Sequence, residues 1–330
     1  MTTLSDIAKA LGTTKGTVSK ALNGAQDVSE ATRRAVLEKA VEMGYTRIPR
    51  GSSSLVIGVF IANMEVEKPA DFGYDLILGI RKAAEPQGCQ VRLIPLTHDL
   101  QQRWSYDSYM LQNNLQGGIF LGLSLTDPWL KDFETCRTPA VLHDNHISGN
   151  PAVTQVGIDN LEGMTIAVSY LKSLGHKKIG YLSSDLGSYA YQQRYQGFFS
   201  ALKDSGYEAD PELAGHAFHV SDCLSQNLPR LLKLGCTAIL CSHDLLASAA
   251  LIYCTELGLS VPGEVSILGF DDIPLCCHTN PPLSTIRQDR EQLGKSAFFA
   301  LSSQLNQVRI STLLLHPQLV VRGSCTEIGQ

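Results

Sequence analysis

The hydrophobic period of this chain changes abruptly near residue 55. Beyond it, short apolar runs of strand length alternate with helical stretches. The runs are Leu55–Ile61, Gln90–Pro95, Gly118–Leu121, Ala140–Leu142, Lys178–Leu182, Ala238–Cys241 and Val265–Gly269, and Tyr74–Glu85 is the first of the intervening helices. Regular alternation of this kind is the pattern of βαβ units, in which helices cover both faces of a parallel sheet. Residues 55–330 are more than one such sheet comfortably holds, so two α/β lobes are expected. The lobe changes are expected near 153–159, near 282–288 and at the C-terminal end.

Residues 1–45 follow a different rule. Leu4, Ile7, Ala8 and Leu11 recur at i, i+3, i+4 and i+7, the apolar face of a helix. Gly12 ends it, because glycine is free to take positive φ. Thr13 and Thr14 offer N-cap oxygens to a second helix with a buried stripe of Val18, Ala21 and Leu22, closed by Gly24. Ser29 caps a third, with Val36, Leu37, Ala40 and Val41 facing inward and Gly44 at its end. Thr46–Ser54, with Pro49, Gly51 and three serines, has no apolar period and reads as a short linker. The expected plan is a three-helix head over 1–45, a linker over 46–54 and a body over 55–330.

Charge separates the same regions. The whole chain carries a net −5, an unpromising value for a nucleic-acid binder. Residues 1–50, however, hold eight Lys/Arg against five Asp/Glu, which makes the head +3 and leaves −8 for the rest. Only the head is suited to approach phosphate. The nine cysteines form no CxxC pair and mostly sit in apolar runs, so free, buried thiols are expected, the adjacent Cys276 and Cys277 included. No apolar run approaches the ~20 residues of a membrane helix. Asp6 and Lys9 stand where a signal peptide needs an apolar core, so a cytoplasmic location is expected.

The chemistry of the head lies in Thr3 to Gly24. Two helices meet at a tight turn, and the second exposes Lys15, Gly16, Ser19 and Lys20 opposite its buried stripe. In a helix-turn-helix the N-terminal part of the second helix faces major-groove base edges. Lysine can donate to guanine O6 and N7, while Thr, Ser and Asn suit phosphates. The wording D-I-A-x-x-x-G-x-x-x-x-T-V-S-x-A-L-N-G from Asp6, followed by V-S-x-x-T-R from Val28 and by Gly44-Tyr45, closely resembles the lactose-repressor family. The resemblance continues along the body through Val156–Asn160, Leu174–Leu182, Arg194–Phe198, Val261–Ile273 and Pro281–Gln288.

That resemblance implies an all-α helix-turn-helix head on a two-lobed, periplasmic-binding-protein-like α/β body with an effector in the cleft. It implies a homodimeric transcriptional regulator, a repressor, that reads a pseudo-palindromic operator. Carried over by position, Lys15, Gly16 and Lys20 are base readers, and Thr14, Thr17, Ser19, Asn23, Ser29 and Thr32 are phosphate contacts. Gly16 has no side chain, so reading there is weak or uses close backbone approach. The linker also departs from the family. It is about five residues shorter, contains no Leu to wedge into the minor groove, and has Pro49 and Gly51 as helix breakers. Weak bending is therefore expected, with Arg47 and Arg50 supplying charge contacts.

In the body, Asp144, Arg194, His243 and Asp271 fall at strand ends or helix starts, where open α/β sheets bind ligands. Carboxylates and a guanidinium suit vicinal hydroxyls, which points to a sugar. Phe72 and Tyr74 are candidates to stack on a ring. Asp244 and Asp272 read as cap or turn residues. His243 stands where the family usually has Asn. His143-Asp144-Asn145-His146 lacks a helix to align its histidines and is not expected to hold a metal, and no cofactor is expected. Two other classes compete. An α/β enzyme would need a GxGxxG after a strand, a P-loop or a GxSxG elbow, and none is present. A periplasmic-type sugar-binding protein would need a signal peptide and would lack residues 1–44.

Overall fold

The computed structural model describes residues 2–45 and 55–328. The linker expectations, namely the missing wedge and the contacts of Arg47 and Arg50, lie outside the described residues.

The head is three helices: α1 (Leu4–Ala10), α2 (Lys15–Leu22) and α3 (Glu30–Glu42). Thr3 and Asp6 form a reciprocal capping box on α1, so two N-terminal amide donors are satisfied locally. Thr14 caps α2 and Ser29 caps α3, each accepting from the backbone three residues on. Gly12, Gly24 and Gly44 all follow helix ends at positive φ. The core is Ile7, Ala8, Val18, Ala21, Leu22, Val28, Val36, Leu37 and Ala40. Val41, expected to face inward, is only half-buried.

The body begins with β1 (Val56–Ile61), α4 (Phe72–Ala84), β2 (Gln90–Pro95), α5 (His98–Arg103), α6 (Tyr106–Asn113), β3 (Gly117–Leu121), α7 (Trp129–Phe133), β4 (Ala140–His143) and β5 (Val153–Ile158). It continues with α8 (Asn160–Ser173), β6 (Ile179–Ser183), α9 (Tyr189–Asp204), β7 (Ala214–His216), α10 (Val220–Lys233), β8 (Ala238–Cys241) and α11 (Asp244–Glu256). It closes with β9 (Ser266–Asp271), β10 (Ser284–Arg287), α12 (Arg290–Leu305), β11 (Thr312–Leu315) and β12 (Gln318–Val320).

Two compact units result. The first comprises Met1–Met64, Ile80–Val156 and Lys295–Leu313, and the second Glu65–Gly79, Gly157–Gly294 and Leu314–Gln330. The middle passage follows Gly294, beyond 282–288, because β10 still belongs to the second sheet. The sheet orders are β11-β5-β4-β3-β1-β2 and β12-β10-β9-β8-β6-β7. β1 pairs in parallel with both β2 and β3, and β6 with both β7 and β8. Each sheet therefore reverses its winding direction at one strand, and open α/β sheets bind ligands at the C-terminal ends there.

An aromatic core fills the first unit. Phe60 stacks on Phe120 at 4.7 Å, and Tyr106, Trp129 and Phe133 meet them edge-on. The core of the second unit is mostly aliphatic, with Leu171, Ile239, Leu240, Ile267 and Leu268 fully buried alongside Tyr181, Phe198 and Phe270. The described cysteines are all unpaired. Seven are buried, but Cys277 is exposed, because the short 3-10 turn Pro274–Cys277 turns only Cys276 inward.

Candidate DNA-reading helix and effector site

Lys15, Gly16 and Lys20 lie exposed along α2, opposite Val18, Ala21 and Leu22. Thr14, Asn23 and Ser29 are exposed, whereas Thr17, Ser19 and Thr32 are half-buried. The hydroxyls are locally paired: Thr14 Oγ1 with Thr17 Oγ1 at 2.9 Å, and Ser29 Oγ with Thr32 Oγ1 at 2.8 Å. Asn23 Nδ2 donates to the Ser19 carbonyl at 2.8 Å. Lys20 is in an exposed ion pair with Asp27, a residue that sequence reading did not single out. Gly16 is not required by the head itself: a Cβ there would meet only Thr14 Oγ1, at an ordinary 3.6 Å.

In the second unit the winding reverses at β6. Ser184 follows β6, Ser242 and His243 follow β8, and Asp271 ends β9. Arg194, from α9, is 2% exposed and sits among them. Its Nε donates to Asn160 Oδ1 at 2.8 Å, and its Nη1 to the Ser242 carbonyl at 2.5 Å and to Asp271 Oδ1 at 3.2 Å. The guanidinium carbon lies 3.8 Å from the Phe270 ring centroid, a cation–π contact. A buried guanidinium with this many fixed partners is not the surface ion pair that composition alone allows.

Asp271 also accepts from Gln288 Nε2 at 2.6 Å. Asp271 and Asp272 have φ of 119° and 54°, conformations costly for residues with a Cβ. Their surroundings hold them there. Arg287 and Arg322 each donate to Asp272 at 2.6 Å. Asp244 fixes the next residue. It is fully buried, accepts from Ile273 N at 3.0 Å, from Cys276 Sγ at 3.0 Å and from Thr285 Oγ1 at 2.6 Å, and is no helix cap. Burial, then the charge of Asp271, raises its pKa. Asp272 is likewise an ion-pair centre, not simply a turn residue.

The N-cap of α11 is instead His243, whose Nδ1 accepts from Leu246 N at 3.2 Å. That bond assigns the ring proton to Nε2, which donates to Ser184 Oγ at 2.7 Å. Tyr191 stacks on the imidazole at 5.5 Å. Burial, then Arg194, lowers the His243 pKa to about 4, so the ring is neutral near pH 7.

Of the six residues expected at the effector site, the structure brings Arg194, His243 and Asp271 into one cluster. Phe72 and Tyr74 lie in the first turn of α4, in the segment belonging to the second unit. Phe72 faces Arg290, whose guanidinium carbon is 5.6 Å from the ring centroid and whose Nη2 donates to Asp75 at 2.9 Å. Asp144 belongs to the first unit, just past β4 at φ 50°. Its buried Oδ1 has no hydrogen-bond partner among the described residues, and neither do Gln288 Oε1 and Arg290 Nη1. Buried polar atoms without partners are rare in folded proteins. Sequence reading missed Ser184, Gln288 and Arg290, which touch the cluster or Phe72. Among the described residues no group of three or more His, Cys, Asp or Glu is arranged for a metal. No described helix is long and apolar enough to cross a membrane.

Comparison with known proteins agrees with both halves. The family described as bacterial regulatory proteins, lacI family, matches residues 3–47, and the periplasmic binding protein-like domain matches residues 168–325. The chain is 31% identical to the HTH-type transcriptional repressor CytR of Escherichia coli strain K12, over 98% of this chain and 96% of that one. It is 30% identical to the regulator MalR of Streptomyces coelicolor, with the same coverage. Among solved structures, a complex of the transcriptional regulator CelR with cellobiose matches at TM-score 0.71 and 26% identity, covering 98% of this chain and all of that one. A lac repressor dimer bound to operator and the anti-inducer ONPF matches at TM-score 0.69 and 25% identity, covering 98% and 99%. With a helix-turn-helix family match over residues 3–47 and near-full-length likeness to these regulators, the chain belongs to the lacI family of bacterial regulatory proteins.

Proposed function

We propose that the chain is a cytoplasmic transcriptional repressor that binds a pseudo-palindromic operator as a homodimer and answers to a carbohydrate effector. Lys15 and Lys20 read bases, and Gly16 admits close backbone approach. Thr14, Thr17, Ser19, Asn23, Ser29 and Thr32 hold phosphates. Arg194, Asp271 and His243, with Phe72 and Tyr74, contact the effector, and Asp144 contributes its unpartnered carboxylate oxygen. The head comprises residues 1–45 and the regulatory body 55–330.

The observation that carries this reading is the pairing, in one chain, of an exposed basic reader helix with a buried guanidinium–carboxylate cluster at a winding reversal. A homodimer supplies two heads for a twofold operator, and the lac repressor dimer solved on operator is a relative that assembles so. The cluster favours ligand binding over catalysis. Ser184 and His243 are hydrogen-bonded, but the imidazole uses Nδ1 as acceptor and Nε2 as donor. The ring therefore gives a proton to the hydroxyl and cannot accept one from it, so Ser184 is not activated as a nucleophile.

Selection of operators from random duplex DNA by the full-length protein tests this reading, with a panel of mono- and disaccharides screened by thermal shift and then added to the binding reaction. The expected outcome is an enriched pseudo-palindrome whose affinity changes with a stabilising sugar. Absence of any sequence preference near physiological salt would remove the DNA-reading assignment. Sequence-specific binding with no responsive carbohydrate would remove the sugar.

A further inference from the structure

The head and the α5–α6 edge of the first unit are in contact. α3 packs against α6. Trp104, between α5 and α6, and Leu111 join Leu4, Leu11, Met43 and Tyr45 against the core of the head. Two guanidinium groups bracket this seat from opposite sides. Arg137 Nη1 donates to the Val41 carbonyl at 3.0 Å, near the C-terminus of α3, where a cation also meets the negative end of the helix dipole. Arg34 Nη2, on α3, donates to the Arg103 carbonyl at 2.6 Å.

The lobe side of the seat is anchored in its own core. Trp129, fully buried, donates its indole N–H to the Trp104 carbonyl at 2.7 Å. Asp107 accepts from the backbone N–H groups of Arg137 and Thr138 at 3.0 and 2.9 Å, which fixes the loop carrying the Arg137 side chain. Gly44 fits closely as well, because a Cβ there would lie 3.0 Å from Arg137 Nη1. A pocket of about 320 Å³ opens beside Val41, Glu42, Asp107 and Arg137, so the apolar seal is confined to the Trp104–Leu111 side.

All of these contacts use α3 or the ends of α1 and α3. Lys15, Gly16 and Lys20 on α2 stay exposed. The seat is therefore compatible with DNA reading, unlike a contact that covers the reader.

We infer that the back of α3 is a docking surface for the α5–α6 edge of the same chain, and that this seat sets the direction in which α2 is presented to an operator half-site. The inference rests on the DNA-reading function proposed above. A head seated in this way moves with its lobe, so a rearrangement of the lobe changes half-site spacing. Trp104 supplies the seal and Arg137 the directional bond.

The test uses full-length protein, with Trp104→Ala and Arg137→Gln compared with Trp104→Phe. Each is measured on the selected operator and on versions with one to three base pairs inserted between half-sites. The wild type is expected to discriminate steeply by spacing. Trp104→Ala and Arg137→Gln are expected to lose about tenfold or more in affinity at the best spacing, as for a central packed contact, and to discriminate less, with Trp104→Phe in between. Unchanged affinity and spacing preference would overturn the inference, and so would a gain in affinity, which would make the seat inhibitory. Amide hydrogen exchange without DNA separates this failure from failure of the function. Residues 38–44 and 104–111 are expected to exchange faster in Trp104→Ala, whether or not the wild type recognises an operator. Equal exchange would show that no seat forms.

Discussion

His243 offers a quantitative test of the proposed effector cluster, because its place as N-cap acceptor there depends on a neutral ring. The ordinary imidazole value is 6.5, and burial beside Arg194 lowers it to about 4 in the fold. A lowered value means that the neutral ring is the form the fold accommodates. Its contribution is fully present above 6.5 and is lost as pH falls through 6.5 towards 4. The full 2.5-unit separation corresponds to about 3 kcal/mol, of which about 2 kcal/mol is lost between about pH 7.5 and about pH 5. His243→Asn removes the titration but keeps an N-cap acceptor for Leu246 N. The assay is chemical denaturation of both proteins at a series of pH values. Carboxylate titrations are common to the two and cancel in the difference. Trp104 and Trp129 both lie in the first unit, so circular dichroism of the tyrosines, including Tyr181 and Tyr191, is the appropriate signal. Wild type is expected to lose about 2 kcal/mol relative to the variant over that range. A difference constant to within about 0.5 kcal/mol would show that His243 is not held neutral.

Other positions give sharper contrasts. Gly16→Ala is expected to stabilise the head by about 0.5–1 kcal/mol in thermal unfolding, since the head has room for a methyl there, yet to weaken operator binding in a mobility-shift assay. Asp27→Asn frees Lys20 from its ion pair, so the dependence of log affinity on log salt is expected to steepen by about one unit. Arg194→Ala leaves Asn160 and Asp271 without their buried partner, so alongside loss of effector response it is expected to cost about 3–5 kcal/mol by denaturation, whereas a simple ligand contact would cost almost nothing without effector. Gly269→Ala places a Cβ 2.1 Å from Asp244 Oδ1 and is expected to destabilise the second unit by at least about 2 kcal/mol, read by calorimetry.

The head was legible because its determinants are local. Thr14 and Ser29 cap their helices by accepting from the backbone three residues on, and Gly12, Gly24 and Gly44 take the positive φ their positions require. Strand positions were legible for the same reason, and with them the strand-end positions of His243 and Asp271, whereas Arg194 lies inside α9 and reaches them from there. What sequence did not reveal is pairing at long range. Asp244 looked like a cap, but it is a buried acceptor whose donors lie 29, 32 and 41 residues away. Gln288 reaches Asp271 across adjacent parallel strands, and Ser184 reaches His243 through the loops after β6 and β8, so neither shows in a local window. Histidine is also outside the usual N-cap residues, and a pattern search for caps passes over His243.

The two sheets share an unusual dependence on one stretch of chain. β11 and β12, Thr312 to Val320, lie two residues apart and supply an outer strand to each sheet, beside β5 in one and β10 in the other. During synthesis the head can close on itself early, since the contacts among its own three helices are short-range. Neither lobe can do so. Both lack an outer strand until Thr312 to Val320 has been made, and then gain it almost together. A message cut short before Thr312 therefore yields a complete operator reader on two unfinished lobes, each with an unpaired edge strand inviting aggregation. Such a reader would ignore the effector, so the late shared closure favours removal of the truncated chain before it can occupy DNA.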